Sequence, residues 1–242
     1  MTRSFVVPLV LSAMLALSPS ARPAAAAPTD AAARALRAGD DASALAQLRP
    51  LAAAGDREAE FLLGRMYDTG RGVPQDPAAA ASWYRMAAAQ GHALASLYLG
   101  MALYAGAGVK QDRAAAARLF RVAADSGNAQ AQFYLGGMSM AGIGVAQNHE
   151  EAIRRLSQSA AQQNARAMGL LASELFARSE GKREQDLIDA YVWSHLAAEL
   201  DPAHADTTGL RATERQLNAE QTARAQASMT EWKRRWSVMA MR

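Results

Sequence analysis

Apolar residues recur along this chain in blocks that have the three- and four-residue spacing of helix faces. In the block from 59 to 91, one apolar stripe lies before a pair of glycines and a second stripe lies after them. The first stripe consists of Phe61, Leu63, Met66 and Tyr67, and the second of Ala80, Trp83, Tyr84 and Ala87. Because each stripe fits one face of a helix, the block predicts two helices that pack against each other.

The residues between the two stripes predict a tight turn. Gly70 and Gly72 interrupt the helical pattern, and glycine readily adopts the positive φ that closes a helix C-terminus. Asp76 is a favoured N-cap residue, and Pro77 suits the first position of a helix, where its missing N–H costs nothing. Gly91 is expected to end the second helix. The block therefore predicts a helix–turn–helix unit.

This block is repeated at an interval of 36 residues. Several sets of positions keep the interval, namely Gly64, Gly100 and Gly136; Gly70, Gly106 and Gly142; Gly72, Gly108 and Gly144; and Val73, Val109 and Val145. Such self-similarity is the sequence signature of a solenoid, in which each unit packs only against its neighbours. Because a solenoid presents an extended surface, the pattern favours binding over catalysis.

The spacing of small, aromatic and turn residues resembles the Sel-one-like (Sel1-like) repeat, a relative of the tetratricopeptide repeat with a longer, glycine-containing turn. Residues 59–91 carry this pattern almost in full, and residues 95–127 carry it well, although Leu103 stands where a tyrosine is usual. Residues 131–164 match in the first half and have Ser139 at the tyrosine position. The resemblance implies an all-α, right-handed α/α superhelical solenoid of four to five helix pairs, whose usual role is protein–protein interaction.

We expect the repeats to be flanked by partial units. Residues 27–56 are expected to form an N-terminal partial repeat or cap, with a lone helix over 41–55. The solenoid is expected to span 57–206, with units at 57–92, 93–128 and 129–164 and a degenerate unit at 165–206. In the third unit, Asn164 is expected to supply the left-handed residue that a glycine supplies elsewhere. Residues 207–242 are expected to form a C-terminal capping helix, since solenoids need capped ends for solubility.

The C-terminal segment has an apolar stripe of its own. Asn218, followed three residues later by Gln221, can start a helix in which one face carries Thr222, Ala225, Met229, Trp232 and Trp236. This helix either covers the last repeat as a cap or lies on an anionic membrane surface, with Lys233, Arg234 and Arg235 beside the stripe. The cap is favoured because three cations on one short helix are thin support for a membrane contact.

The N-terminus has the pattern of a secretory signal over residues 1–26. Arg3 supplies a positive start, residues 5–17 form a mostly apolar run, and residues 24–26 fit an A-x-A cleavage site. The run is short for a helix that spans a bilayer, although an uncleaved anchor in the inner membrane is the alternative. We therefore expect an exported protein, located in a bacterial periplasm.

Composition narrows the classes of function. The net charge is +3 and falls to +1 without Arg3 and Arg22, so no basic face for nucleic acid is indicated. The chain contains no cysteine, which excludes thiol catalysis, thiolate metal sites, disulfides and a lipid-anchored lipoprotein. The histidines, which have no metal-ligand spacing, are His92, His149, His195 and His204. No cofactor, metal site or catalytic residue is predicted.

One stripe of residues indicates a binding surface. Counting three residues on from Ala59 places four residues in register, namely Leu62, Tyr98, Tyr134 and Leu170. In this family the position is often polar and tends to face the concave side. Arg65, Met101 and Met138 are expected nearby, and aromatic, methionine and arginine side chains are favoured binding anchors. The alternative is that these residues simply pack between neighbouring first helices.

The sequence thus predicts an exported, non-enzymatic scaffold or adaptor that binds a protein or peptide partner in its concave groove. The alternative is a binding or hydrolytic role toward β-lactam or cell-wall compounds, which has been linked to a cysteine-rich branch of this family. That branch uses a disulfide in each repeat, whereas this chain has no cysteine.

Overall fold

Helices make up the regular structure of the protein. The computed structural model describes residues 29–179 and 183–240, and this part contains twelve α-helices, one short 3-10 turn and no β-strand. The first ten helices of this part pack against their neighbours in the chain, and the last two pack against the tenth. The all-α solenoid predicted from the sequence is thereby confirmed.

The helices form consecutive pairs, and we call the helix before each turn the first helix of its unit. Two helices precede the units, α1 (Asp30–Ala38) and α2 (Asp41–Ala53). The four units are α3 (Arg57–Thr69) with α4 (Pro77–Ala89), α5 (Ala93–Ala105) with α6 (Arg113–Asp125), α7 (Ala129–Ala141) with α8 (His149–Ala161), and α9 (Ala165–Ser179) with α10 (Glu184–Leu200). The 3-10 turn Pro202–His204 then leads into α11 (Thr207–Gln216) and α12 (Ala219–Ala240).

Each first helix begins at a side-chain cap in the same register. The caps are Asp56, His92, Asn128 and Asn164, and each accepts a hydrogen bond from the backbone N–H three residues further on. Such a bond satisfies one of the amides that the first turn of a helix leaves unpaired. In the first three units the second helix begins in the same way, at Asp76, Asp112 and Asn148.

The turn glycines join neighbouring units. Gly72, Gly108 and Gly144 have positive φ values of 68°, 67° and 70°. Gly108 lies against Pro77, and Gly144 lies against Arg113, at the start of the preceding unit's second helix. Gly72 lies in the same way against Asp41 at the start of α2. Helix α2 therefore occupies the position that a second helix occupies in the complete units.

The N-terminal region has one helix more than the lone helix we expected. Helix α1 precedes α2 and packs against it, with Ala32 fully buried in the same apolar cluster as Leu48 of α2. Gly39, with a φ of 80°, ends α1 and turns the chain directly into α2. The residues of α1 have no counterpart at the 36-residue interval, so the repeat pattern did not predict this helix.

The predicted signal segment, residues 1–26, lies outside the described residues, which begin at Thr29. Helix α1 begins shortly after the predicted cleavage position. In the described part, no helix combines the length and the apolarity needed to cross a membrane.

The prediction for Asn164 is wrong. The left-handed residue at the end of the third unit is Gln163, with a φ of 64°, and it is in register with Gly91 and Gly127. Asn164 instead caps α9, because its Oδ1 accepts a hydrogen bond from the backbone N–H of Ala167 at 3.1 Å. The third unit therefore keeps the cap of the repeat and has a residue with a strained backbone where the first two units have Gly91 and Gly127.

We expect Gln163→Gly to stabilise the protein. Glycine removes the steric cost of the left-handed conformation, which is larger than the entropy that glycine adds to the unfolded chain, so the expected gain is about 0.5–1 kcal/mol. Chemical denaturation of the variant, followed by circular dichroism, measures the change. An unchanged or lower stability would show that the Gln163 side chain makes contacts worth more than the strain.

The C-terminal region contains two helices where we expected one. Helix α11 begins at Asp206, whose carboxylate accepts from the N–H groups of Thr208 and Gly209. Helix α12 follows Asn218 as the sequence predicted. The Asn218 side chain accepts from the Gln221 N–H and the Gln221 side chain accepts from the Asn218 N–H, both at 2.9 Å, which forms a reciprocal capping box.

The apolar stripe of α12 faces the last repeat. Trp236 is 7% exposed and donates from Nε1 to the carbonyl of Ala161, at the end of α8, at 2.9 Å. The ring centroid of Trp232 lies 4.9 Å from that of Trp193 on α10. The aromatic side chains of α12 are therefore used in packing, as the capping interpretation requires.

Candidate functional site

The predicted stripe lies on four consecutive first helices. Leu62 is on α3, Tyr98 on α5, Tyr134 on α7 and Leu170 on α9, and all four are half-buried. Because they share one register of the repeat, they follow one another across the face that the first helices form.

The two tyrosines of the stripe stack on buried rings. Tyr98 stacks on Tyr84 with ring centroids 5.4 Å apart, and Tyr134 stacks on Phe120 at 4.9 Å and an interplanar angle of 8°. Both partners belong to the second helix of the preceding unit. The tyrosines thus pack against the second helix of the preceding unit and still keep part of their surface exposed.

Arg65 and Met101 lie on the same face, in register with each other. The guanidinium of Arg65 is 4.8 Å from the ring centroid of Tyr98, in a cation–π contact. The Nε of Arg65 is buried and has no hydrogen-bond partner among the described residues. The sulfur of Met101 lies 3.8 Å from the Nε2 of Gln130 on α7. Arg65 therefore lies beside Tyr98 of the stripe, and Met101 lies beside α7.

Met138 differs from these two because it belongs to the core. It is 2% exposed, and it is in register with Met66, which is 1% exposed. The position that corresponds to Arg65 and Met101 in the third unit is Gly137. Met138 therefore offers a partner almost no surface, and a small residue stands where we expected an anchor.

The first helices border two adjoining depressions. One, of about 460 Å³, lies beside Tyr134 between α5, α7 and α9. The other, of about 760 Å³, continues from α9 to the segment 201–206. We call the two together the first-helix groove, and its lining includes Met101, Tyr104, Phe133, Tyr134, Arg166 and Leu170. Leu62, Arg65 and Tyr98 lie on the same face, nearer the N-terminus.

Sequence reasoning missed three residues of this lining. Phe133 and Arg166 form a cation–π pair at 4.7 Å, and Tyr104 lies 5.8 Å from the guanidinium of Arg113. Phe133 is in register with Phe61, which is buried, so its repeat position indicated only a core residue. An inspection of the neighbouring registers for aromatic and basic residues would have found all three.

The titratable groups closest to the stripe are engaged inside their own unit. The hydroxyl of Tyr84 donates to the Asp68 carboxylate at 3.2 Å, and burial together with the negative charge of Asp68 raises the pKa of Tyr84 well above its usual range. Burial also raises the pKa of Glu60, against the effect of the hydrogen bond that it accepts from Gln90 at 2.8 Å. These groups stabilise the first unit, and we assign them no role in binding.

His204 lines the 760 Å³ depression of the groove and hydrogen-bonds to Asp201, whereas His92 has a structural role. His92 caps α5 and stacks on Phe61 with ring centroids 4.5 Å apart. His149 pairs with Glu174, and His195 stacks on Tyr191. Within residues 29–179 and 183–240, no group of three or more His, Cys, Asp or Glu residues could hold a metal ion.

Comparison with known proteins identifies four repeat units in this chain. The Sel1 repeat family model matches residues 57–92, 93–128, 129–164 and 165–202. A crystal structure of a Sel1 repeat protein from Oxalobacter formigenes is similar over 70% of this chain and 84% of that chain, with 22% identity and a TM-score of 0.56. None of the curated proteins matches the chain.

A second solved structure is similar at a lower level. It is c5321, a protective antigen present in uropathogenic Escherichia coli strains that displays an SLR fold. The identity is 21%, the coverage is 78% of this chain and 63% of that chain, and the TM-score is 0.42. This similarity is too low to carry an argument about the groove.

The four matched units coincide with the four helix pairs from α3–α4 to α9–α10. Together they cover more than half of the chain, with no gap between one unit and the next. The similarity to the Oxalobacter protein shows the same fold. The chain therefore belongs to the Sel1 repeat family.

Proposed function

We propose that this protein is an exported scaffold or adaptor that holds a protein or peptide partner along its first helices. Sel1 repeats generally mediate protein–protein interactions, and proteins built from them are typically non-enzymatic scaffolds. The observation that carries the proposal for this chain is the half-buried stripe of Leu62, Tyr98, Tyr134 and Leu170 beside the first-helix groove.

The physical character of this face supports a binding role. Tyr98 and Tyr134 are held in place by the stacked rings beneath them, so little side-chain entropy is lost when a partner covers their exposed edges. Arg65 and Arg166 lie over aromatic rings at 4.8 and 4.7 Å. Aromatic and arginine side chains supply most of the binding energy at protein interfaces.

Export is part of the proposal and rests on the pattern of residues 1–26. The positive start, the apolar run and the small residues at 24–26 fit a signal that is removed on secretion. The mass of the protein isolated from cells tests this part. Loss of the first 25 or 26 residues supports export with cleavage, whereas an intact mass supports the inner-membrane anchor.

A pull-down from envelope extract tests the binding role. The protein as isolated from cells is compared with a Tyr98→Ser/Tyr134→Ser variant and with a Met86→Ser/Val122→Ser variant. Met86 and Val122 are 44% and 49% exposed on second helices, so the latter variant removes two apolar side chains elsewhere on the surface. We expect one protein to be retained by the wild type and by this control, and lost by the tyrosine variant.

Thermal unfolding of the same variants completes the test. Removing the two rings should lower the stability by at least about 1–3 kcal/mol, since each of the two stacked pairs contributes about 0.5–1.5 kcal/mol beyond its burial. The unfolding transition should remain cooperative. Loss of a cooperative transition would assign the tyrosines to the core alone, and retention of the partner by a folded tyrosine variant would overturn the proposed surface.

A further inference from the structure

A cavity adjoins the first-helix groove where one unit lacks the side chain of its repeat position. Phe61, Leu97 and Phe133 share one register, and the fourth unit has Gly169 there. Phe61 and Leu97 are buried, whereas a Cβ built on Gly169 would have no atom within 4 Å. Gly169 borders a cavity of about 130 Å³ between α9, α10 and α11. The glycine thus leaves open a space that a large side chain fills in other units.

The size and the walls of this cavity suit an aromatic ring. An apolar protein cavity of about 150 Å³ stays dry and binds benzene. The apolar part of the wall is formed by Ala172, Phe176, Ala197 and Leu210. The hydroxyls of the wall, on Ser173, Ser194 and Thr213, donate to carbonyls of their own helices. The Asp206 carboxylate also lines the cavity and accepts from the N–H groups of Thr208 and Gly209. Because these polar groups already have partners, the cavity favours an apolar occupant.

The mouth of the cavity presents a cation to a ligand. Arg166 stands in the adjoining depression over the ring of Phe133 and has no carboxylate partner among the described residues. The two carboxylates at the mouth are engaged, since Asp201 accepts from His204 at 2.9 Å and Asp206 caps α11. These hydrogen bonds leave the negative charges of both carboxylates in place, so Arg166 is the group here that can pair with a carboxylate of a ligand.

We propose that this cavity, which we call the Gly169 pocket, binds an aromatic side chain of a partner peptide, and that Arg166 pairs with an acidic residue beside that side chain. The occupant is a peptide because the pocket shares Gly169, Ser173 and Ala197 with the groove, along which the rest of the chain can lie. This inference rests on the proposed function and names the chemistry of the partner.

Three synthetic, fluorescein-labelled peptides serve as probes, and fluorescence anisotropy with the full chain measures their binding. The first has a phenylalanine between two glutamates, the second has alanine in place of phenylalanine, and the third has lysines in place of the glutamates. Burial of the ring should make the first peptide bind about tenfold or more tightly than the second. Pairing with Arg166 should make it bind more tightly than the third.

Substitutions at Gly169 test whether the tighter binding of the phenylalanine peptide arises in the Gly169 pocket. Gly169→Phe restores the ring of the repeat and fills the cavity, so the preference for phenylalanine should disappear while the protein stays folded. Gly169→Ala adds one carbon in open space and should keep the preference. Arg166→Ala, at an exposed position, should remove the preference for glutamate over lysine and serves as a second test if Gly169→Phe does not fold.

Several results would overturn the pocket. The first is equal binding of the three peptides by the wild type. The second is an unchanged preference for phenylalanine in the Gly169→Phe variant. The third is self-association of the wild type that Gly169→Phe abolishes, because this result would show that a second copy of the protein occupies the pocket. The failure of the proposed function is a separate result. If the envelope partner depends on Tyr98 and Tyr134 but is still retained by Gly169→Phe, the scaffold role stands and the pocket is wrong.

Discussion

Gly108→Ala is expected to weaken the junction between the first two repeats by roughly 3 kcal/mol or more. A Cβ at this position would lie 2.3 Å from the carbonyl carbon of Pro77 and 2.5 Å from the nitrogen of Ala78. Both are backbone atoms at the start of α4, so a change of rotamer cannot relieve the overlap. The positive φ of Gly108 adds a steric cost for any residue with a Cβ.

Thermal unfolding followed by circular dichroism measures this loss, and for a protein of this size it corresponds to a fall in Tm of roughly 6–12 °C. Gly91→Ala is the matched control. Gly91 has a φ of 79°, and its Cβ would have no atom within 4 Å, so this variant carries the backbone strain of about 1–2 kcal/mol without the overlap. If both variants lose the same stability, the close approach between units is not what requires glycine at 108.

The turn glycines explain why so much of this fold could be predicted from the sequence. Gly108 and Gly144 each meet a backbone contact with the preceding unit, which repeats at the same interval as the glycines. The caps Asp76, Asp112 and Asn148 follow the same interval because each second helix needs a partner for its first amides. A close contact or a helix cap that every unit needs is therefore visible in the sequence as a residue that recurs at the repeat interval.

The remaining features depend on departures from the repeat. Gln163 takes a conformation that its residue type does not indicate, and Met138 lies one position beyond the register of Met101, which makes it a core residue. The Gly169 pocket depends on a missing side chain and on α11, whose position follows no repeat. The pocket arises from tertiary packing at the end of the array, where the interval gives no information, whereas the common register of Met138 and the buried Met66 could have indicated a core position.

Trp236→Ala is expected to detach the C-terminal cap. Trp236 is 7% exposed in the cluster between α8, α9, α10 and α12, and replacement of such a side chain by alanine costs roughly 3–5 kcal/mol. Each unit of a solenoid contacts only its neighbours, so the loss of one interface acts mainly on the units that share it. We therefore expect amide hydrogen exchange to increase in α12 and in the fourth unit, while α3 to α6 keep their protection.

Trp236→Phe separates burial from hydrogen bonding in the same cap. Phenylalanine keeps most of the apolar contact but loses part of the ring volume and the indole N–H that binds the Ala161 carbonyl, so the expected loss is about 1–3 kcal/mol, less than that of Trp236→Ala. The membrane interpretation of α12 predicts instead that this helix binds vesicles of anionic lipid. Lys233 is paired with Glu199, and Arg234 and Arg235 are paired with Glu231, so the cations of α12 are engaged within the protein and we expect no binding to phosphatidylglycerol vesicles. If Trp236→Ala left hydrogen exchange unchanged and instead abolished binding to such vesicles, α12 would be a membrane-surface helix and its cap role would be wrong.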